Sequence, residues 1–197
     1  MNIEIKSSGG FTAMPLDARQ LSHRRVYVEG EINRDSATEF MKKIIHLNDE
    51  DTKKKIMVFV NSAGGEIRSG MLMYDVIQGS VAPIVMCCTG IAYSMAAVLL
   101  ACGNHGRYML PHSKAMIHEP LTAMPFGGSA SSVRSVADSM LDERNRMNEI
   151  LARHTGKTEK EICKAASYDH YFTSEEAVKF GLCDRVVDFS EMIRFKI

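Results

Sequence analysis

A chain of 197 residues fits one domain, and its 45% hydrophobic and 24% charged content excludes a disordered or fibrous protein. Basic and acidic residues balance at 24 each, so the basic excess of a nucleic-acid binder is absent. Five cysteines in irregular spacing, no signal-like N-terminus and no apolar window of membrane length predict a cytoplasmic protein with free thiols, no metal site and no membrane partner.

Along the chain, residues 1–16 are polar and contain Ser7, Ser8, Gly9 and Gly10, which predicts a mobile stretch or one that depends on a neighbour for order. Arg25 to Val28 reads as a short strand. Ser36 is placed to cap a helix whose apolar positions Phe40, Ile44 and Leu47 recur at helical spacing. Ile56 to Val60 is a continuous apolar run, as expected of a strand covered on both faces. A turn over Asn61–Gly65 and an amphipathic helix with Met71, Tyr74, Val76 and Ile77 follow. Ile84 to Cys88 is another buried strand, and Gly90 to Gly103 reads as a turn leading into a buried helix. Strands at Tyr108–Leu110 and Ala115–Ile117 complete an alternation that implies crossover units and a mostly parallel sheet.

After Pro120 the rhythm changes. Thr122 to Ser132 is loop-like or an irregular strand, and a long helix then runs to about His154 with Val133, Val136, Met140, Met147, Ile150 and Leu151 on one stripe. Thr155-Gly156 ends it. A helix this long, this late in a small α/β domain, is either an arm that packs on another subunit or an ordinary covering helix.

Several residues carry candidate chemistry. Ser94 lies where a turn enters a helix, so its hydroxyl is either a helix cap or a nucleophile beside unpaired backbone N–H groups. The Gly pair in Asn61–Gly65, past the C-terminal end of a buried strand, lets backbone approach a ligand, or is a plain tight turn. His118 follows the strand AMI and precedes Glu119-Pro120, so an extended chain end holds a candidate base. Asp169 precedes Thr173-Ser174-Glu175-Glu176, a capped helix start, and could orient an imidazole or serve only the turn. Each residue alone is ambiguous.

Five blocks taken together are specific: VNSAGGEIRSG with MLMYDVI behind it, TGIAYSMAAVLLACG, LPHSKAMIHEP, RMNEILARHTGKTEKEI and YDHYFTSEEAVKFGLCD. From about Arg25 to Val187 the chain resembles the proteolytic subunit family of the ATP-dependent Clp protease, ClpP, as a divergent or second paralogue. The resemblance implies that Ser94 is the nucleophile, His118 the general base and Asp169 the orienting acid of a serine endopeptidase. The backbone N–H groups of Gly65 and Met95 would form the oxyanion hole. It further implies a crotonase-like α/β fold, with mostly parallel sheets, covering helices and a protruding handle helix. Residues 1–20 would be a mobile axial segment, and 21–197 the peptidase domain with its handle at about 122–155.

Two stacked rings of seven are implied, homo-oligomeric or mixed with a paralogue, fed with polypeptide by an AAA+ unfoldase of the ClpX or ClpA/ClpC type. That partner would use the ATP, so this chain would need no cofactor. The sequence departs from the family pattern at Ala63 (commonly Pro), Tyr93 (commonly Ala) and Ala96 (commonly Gly). Tyr93 adds bulk beside the nucleophile and is expected to narrow or reshape the substrate pocket, and Pro125 removes a backbone donor from the strand expected to pair with substrate and with the opposite ring. Three rival readings remain: a low-activity ring subunit working with a more active paralogue, a crotonase-type acyl-CoA enzyme, and a serine/lysine peptidase.

Overall fold

The computed structural model describes residues 1–7, 10–121 and 127–194. Two N-terminal strands, β1 (Asn2–Ser7) and β2 (Gly10–Pro15), pair as an antiparallel hairpin. This stretch, which shows no periodicity in the sequence, is thus held by backbone ladder bonds while most of its side chains stay exposed. The short helix α1 (Leu16–Ser22) leads to β3 (Arg25–Ile32) and α2 (Arg34–Glu50). Asn33, not Ser36, is the N-cap of α2. Its side chain accepts from the N–H groups of Asp35 and Ser36, and the Ser36 hydroxyl answers by accepting from Asn33 N–H.

Next come β4 (Ile56–Gly65), α3 (Ile67–Gly79), β5 (Ile84–Tyr93), α4 (Met95–Ala101), β6 (Arg107–Met109) and β7 (Lys114–Ile117). The chain continues through α5 (Ala130–Thr155), α6 (Glu159–Ala166), β8 (His170–Thr173), α7 (Ser174–Phe180), β9 (Arg185–Val186) and α8 (Phe189–Met192). The main sheet runs β3-β4-β5-β6-β9, all parallel, with β7 parallel to β5 and β8 antiparallel to β7. The expected mostly parallel α/β fold is present.

The continuous apolar run in β4 serves two cores. Ile56, Val58 and Val60 face the larger one, with Ile44 and Leu47 of α2 and Met73 and Ile77 of α3. Met57 and Phe59 face a smaller one, with Val85, Cys87, Val187 and Met192. The segment Asn61–Gly65, predicted as a turn, continues β4 instead. After a register shift its Gly64 and Gly65 pair with Glu31 and Ile32 of β3. The glycines are needed here. A Cβ on Gly65 would lie 2.1 Å from Ile32 O, and one on Gly64 would lie 2.9 Å from Ser94 Cβ and 3.0 Å from Met95 N.

Helix α5 spans 26 residues and ends at Gly156 in the left-handed region (φ 73°). Its predicted stripe divides in two. Met147, Ile150 and Leu151 are buried, whereas Val133 and Val136 remain 38% and 37% exposed because the N-terminal part of α5 leaves the body of the chain. The expectation about Pro125 falls outside the described residues.

Candidate active site

β7 brings three distant stretches together. It pairs with β5 on one side, setting Tyr93 opposite Met116, and with β8 on the other, setting Ile117 opposite His170. The residues just beyond these partners are Ser94, His118 and Asp169, so the register of one short strand fixes all three.

Ser94 occupies the single position between β5 and α4 at φ 53° and ψ −123°. Only Ser94 and Arg24 among the described non-glycine residues have positive φ, a conformation that costs energy for a residue with a Cβ. It is held there by its N–H donating to Met116 O at 2.8 Å and by its carbonyl accepting from Ala97 N–H at 3.0 Å. Its position is that of an N-cap, yet the hydroxyl makes no capping bond. Ser94 Oγ instead lies 2.8 Å from His118 Nε2. The helix-cap alternative therefore does not account for this side chain. With the imidazole proton on Nδ1, Nε2 accepts from the Ser94 O–H.

His118 stands one residue beyond β7, its side chain 17% exposed. The next residue is anchored by Glu119 N–H donating to Ala166 O at 2.8 Å. On the far side of the ring, Asp169 Oδ1 is 3.4 Å from Nδ1. That is ion-pair range without hydrogen-bond alignment, since Nδ1 is shielded from solvent and has no hydrogen-bond partner among the described residues. The Asp169 side chain is 55% exposed, so a small carboxylate rotation is sterically open.

A cavity of about 260 Å³ opens beside the Ser94–His118 pair. Ala63, Gly65 and Met95 line its mouth with the serine. Met95 is the first residue of α4, whose N–H has no intrahelical acceptor, and Gly65 is the last residue of the β4 extension. Both residues expected to supply oxyanion donors therefore line the same cavity as Ser94. Apolar side chains, including Ile67, Val98, Met147 and Leu151, form most of the walls, with Glu119, Pro120 and Asn148 among the remainder.

Tyr93 does not narrow this cavity. Its ring packs edge-on against Tyr171 of β8 at 5.5 Å, outside the lining, because the strand alternation that turns Ala92 into the core turns Tyr93 toward β8. Burial and then the neighbouring Tyr171 push the Tyr93 phenol above its ordinary value, so it stays a neutral packing ring.

The sequence reasoning overlooked Asn148 and Glu119 as lining residues. A polar residue between Met147 and Ile150 on the buried stripe of α5 was the available signal for Asn148.

The Clp protease family model matches residues 9–190. The chain is also similar to ATP-dependent Clp protease proteolytic subunit 2 of Tropheryma whipplei (strain Twist), with 38% identity over 169 residues, covering 85% of this chain and 93% of that protein.

Proposed function

The chain belongs to the Clp protease family, and we propose that it cleaves peptide bonds as a serine endopeptidase through Ser94, His118 and Asp169. The carrying observation is the 2.8 Å contact between Ser94 Oγ and His118 Nε2 at the mouth of an apolar cavity. His118 takes the serine proton as Oγ adds to the carbonyl carbon. The N–H groups of Gly65 and Met95 stabilise the negative oxygen that forms. The imidazolium then gives the proton to the leaving amine as the C–N bond breaks. In the second half His118 takes a proton from water as its oxygen adds to the acyl carbon, and returns it to Ser94 Oγ as the C–Oγ bond breaks and the acid leaves. Asp169 steadies the imidazolium across its 3.4 Å gap.

Its substrates are unfolded polypeptides, delivered to a chamber formed by two heptameric rings, alone or mixed with a paralogue. An AAA+ unfoldase of the ClpX or ClpA/ClpC type supplies ATP hydrolysis, and this chain holds no cofactor of its own. We place it in the cytoplasm, a reading supported by free cysteines, four buried and Cys163 exposed. No helix among the described residues is long and apolar enough to cross a membrane.

One observation favours a second reading, a low-activity ring subunit. The unaligned His118–Asp169 contact leaves the imidazole less well oriented than the chemistry needs. Fluorophosphonate labelling of Ser94, on this chain alone and then mixed with its paralogue, separates the two. Labelling only in the mixture supports the second. The serine assignment itself is tested by Ser94→Ala, which should lower hydrolysis of a short fluorogenic peptide by roughly 10⁶-fold. Cleavage that survives in that variant rules the nucleophile out.

A further inference from the structure

Ser94, His118 and Asp169 stand at the ends of three neighbouring strands, in the spatial order β5, β7, β8. One row back across the same strands, the register aligns Tyr93, Met116 and Tyr171. Ala92, Ala115 and Phe172 belong to the main core, so strand alternation turns Tyr93, Met116 and Tyr171 to the other face. His118 lies two residues beyond Met116, and Asp169 two residues before Tyr171. Both therefore share that face, about 7 Å further along the strands.

Tyr93 reaches across the whole row. Two strand spacings, about 10 Å, separate its backbone from that of Tyr171, and the two rings close this gap from both sides. They meet edge-on, with centroids 5.5 Å apart and planes at 89°, a favoured arrangement for an aromatic pair. Neither phenol hydroxyl hydrogen-bonds a described residue, so the pair acts through ring packing.

Asp169 has few supports of its own. Its carboxylate is 55% exposed, and its one polar contact among the described residues is the 3.4 Å approach to His118. Its position therefore follows the backbone of β8. That strand is four residues long and pairs with β7 alone, so its outer edge is open. On the core side Phe172 anchors it. On the site side Tyr171 is 52% exposed, and its ring leans on Tyr93.

We propose that Tyr93 is a positioning residue: through Tyr171 it holds the start of β8 so that the Asp169 carboxylate stays within reach of His118 Nδ1. The contact joins the residue before the nucleophile to the residue two places after the acid, across the strand that carries the base. Tyr93 departs from the family pattern, so this strap is a feature of the present chain.

The proposal rests on the Ser94–His118–Asp169 reading, and its test keeps the two apart. A double-mutant cycle is run on the full-length assembled protein. It measures kcat and KM on a short fluorogenic peptide, with fluorophosphonate labelling of Ser94 followed in parallel. Tyr93→Ala should lower kcat about tenfold at nearly unchanged KM, and Tyr93→Phe, which keeps the ring, should stay within about twofold of wild type. In the Asp169→Asn background, Tyr93→Ala should cost less than about twofold more, because the carboxylate it positions is already gone.

An unchanged kcat in Tyr93→Ala overturns the role and leaves the serine mechanism standing. So does a full further tenfold loss in the Asp169→Asn background, since Tyr93 would then act on something other than Asp169. A loss in Tyr93→Phe as large as in Tyr93→Ala overturns the ring-packing account. If Tyr93→Ala does not assemble, Tyr171→Leu removes the partner ring and should give the same tenfold loss; no loss overturns the role. Peptide cleavage by the wild type without labelling of Ser94 overturns the serine reading, and this role with it.

Discussion

Ser94 holds a backbone conformation that few residues with a Cβ adopt, and a capping role would not require it. The strain is explained if the hydroxyl must reach His118 while Met95 N–H stays free to face the same space. Asp169 is the least settled member of the trio, half-exposed and 3.4 Å from Nδ1. An orienting carboxylate acts by fixing the tautomer that lets Nε2 accept the serine proton. Asp169→Asn keeps the shape and removes that charge, so kcat should fall by roughly 10⁴-fold, less than for loss of the nucleophile. Fluorophosphonate labelling should slow in parallel, since it needs the same activated hydroxyl. A fall of less than tenfold in both would take Asp169 out of the orienting role.

At the scale of elements, the last turn of α5 is tied to the body by two side chains. Arg107 donates from Nη1 to the carbonyls of Ala101, His154 and Gly181, satisfying the C-terminal ends of α4, α5 and α7 together. His154 Nε2 lies 3.0 Å from the Tyr74 hydroxyl of α3 and, as the neutral ring, accepts from it. Burial, and then the charges of Arg107 and Arg153, push His154 below its ordinary value. The unfolded chain therefore binds this proton more readily than the folded one. Stability from the neutral ring is full above an unfolded pKa of about 6.5 and is lost as pH falls below it. The urea midpoint of the wild type should drop further between pH 7.5 and 5.5 than that of His154→Gln. Equal drops would remove His154 from the pH response.

The alternation of strands and helices was legible in the sequence because apolar runs and helical stripes carry it. The extension of β4 through Gly65 was not, because Gly-Gly reads as a turn and only the Ile32 backbone across the sheet shows it is ladder. The site divides in the same way. Ser94, His118 and Asp169 were visible as residue types and, through five ordered blocks, as a set. Their meeting depends on β7 pairing with both β5 and β8, a register set by neighbours hundreds of atoms away in the chain. Asn148 left one local trace, a polar residue between Met147 and Ile150, but that pattern does not show that the stripe there borders a cavity rather than solid core.

For the whole molecule, the open question is what covers the N-terminal part of α5. At about 1.5 Å per residue its 26 residues reach about 39 Å, yet no residue before Met147 is buried. Val133, Val136 and Leu141 are 38%, 37% and 45% exposed. An amphipathic helix gains most of its stability from packing its apolar stripe, so a second copy of the chain is the economical cover for a subunit of a family that assembles. The same helix reaches the site: Arg144 Nη1 lies 3.7 Å from Glu119 Oε2, and Glu119 adjoins His118. Placing charges on the stripe with Val136→Glu and Leu141→Glu should therefore do two things. The assembly should shrink, seen as a lower mass in native mass spectrometry, because carboxylates are costly to bury without partners. Peptidase activity should fall about tenfold or more as α5 loses its support and the Glu119–Arg144 contact loosens beside the base. An unchanged mass would mean that α5 is not the assembly surface, and a smaller assembly with undiminished activity would mean that α5 does not support His118.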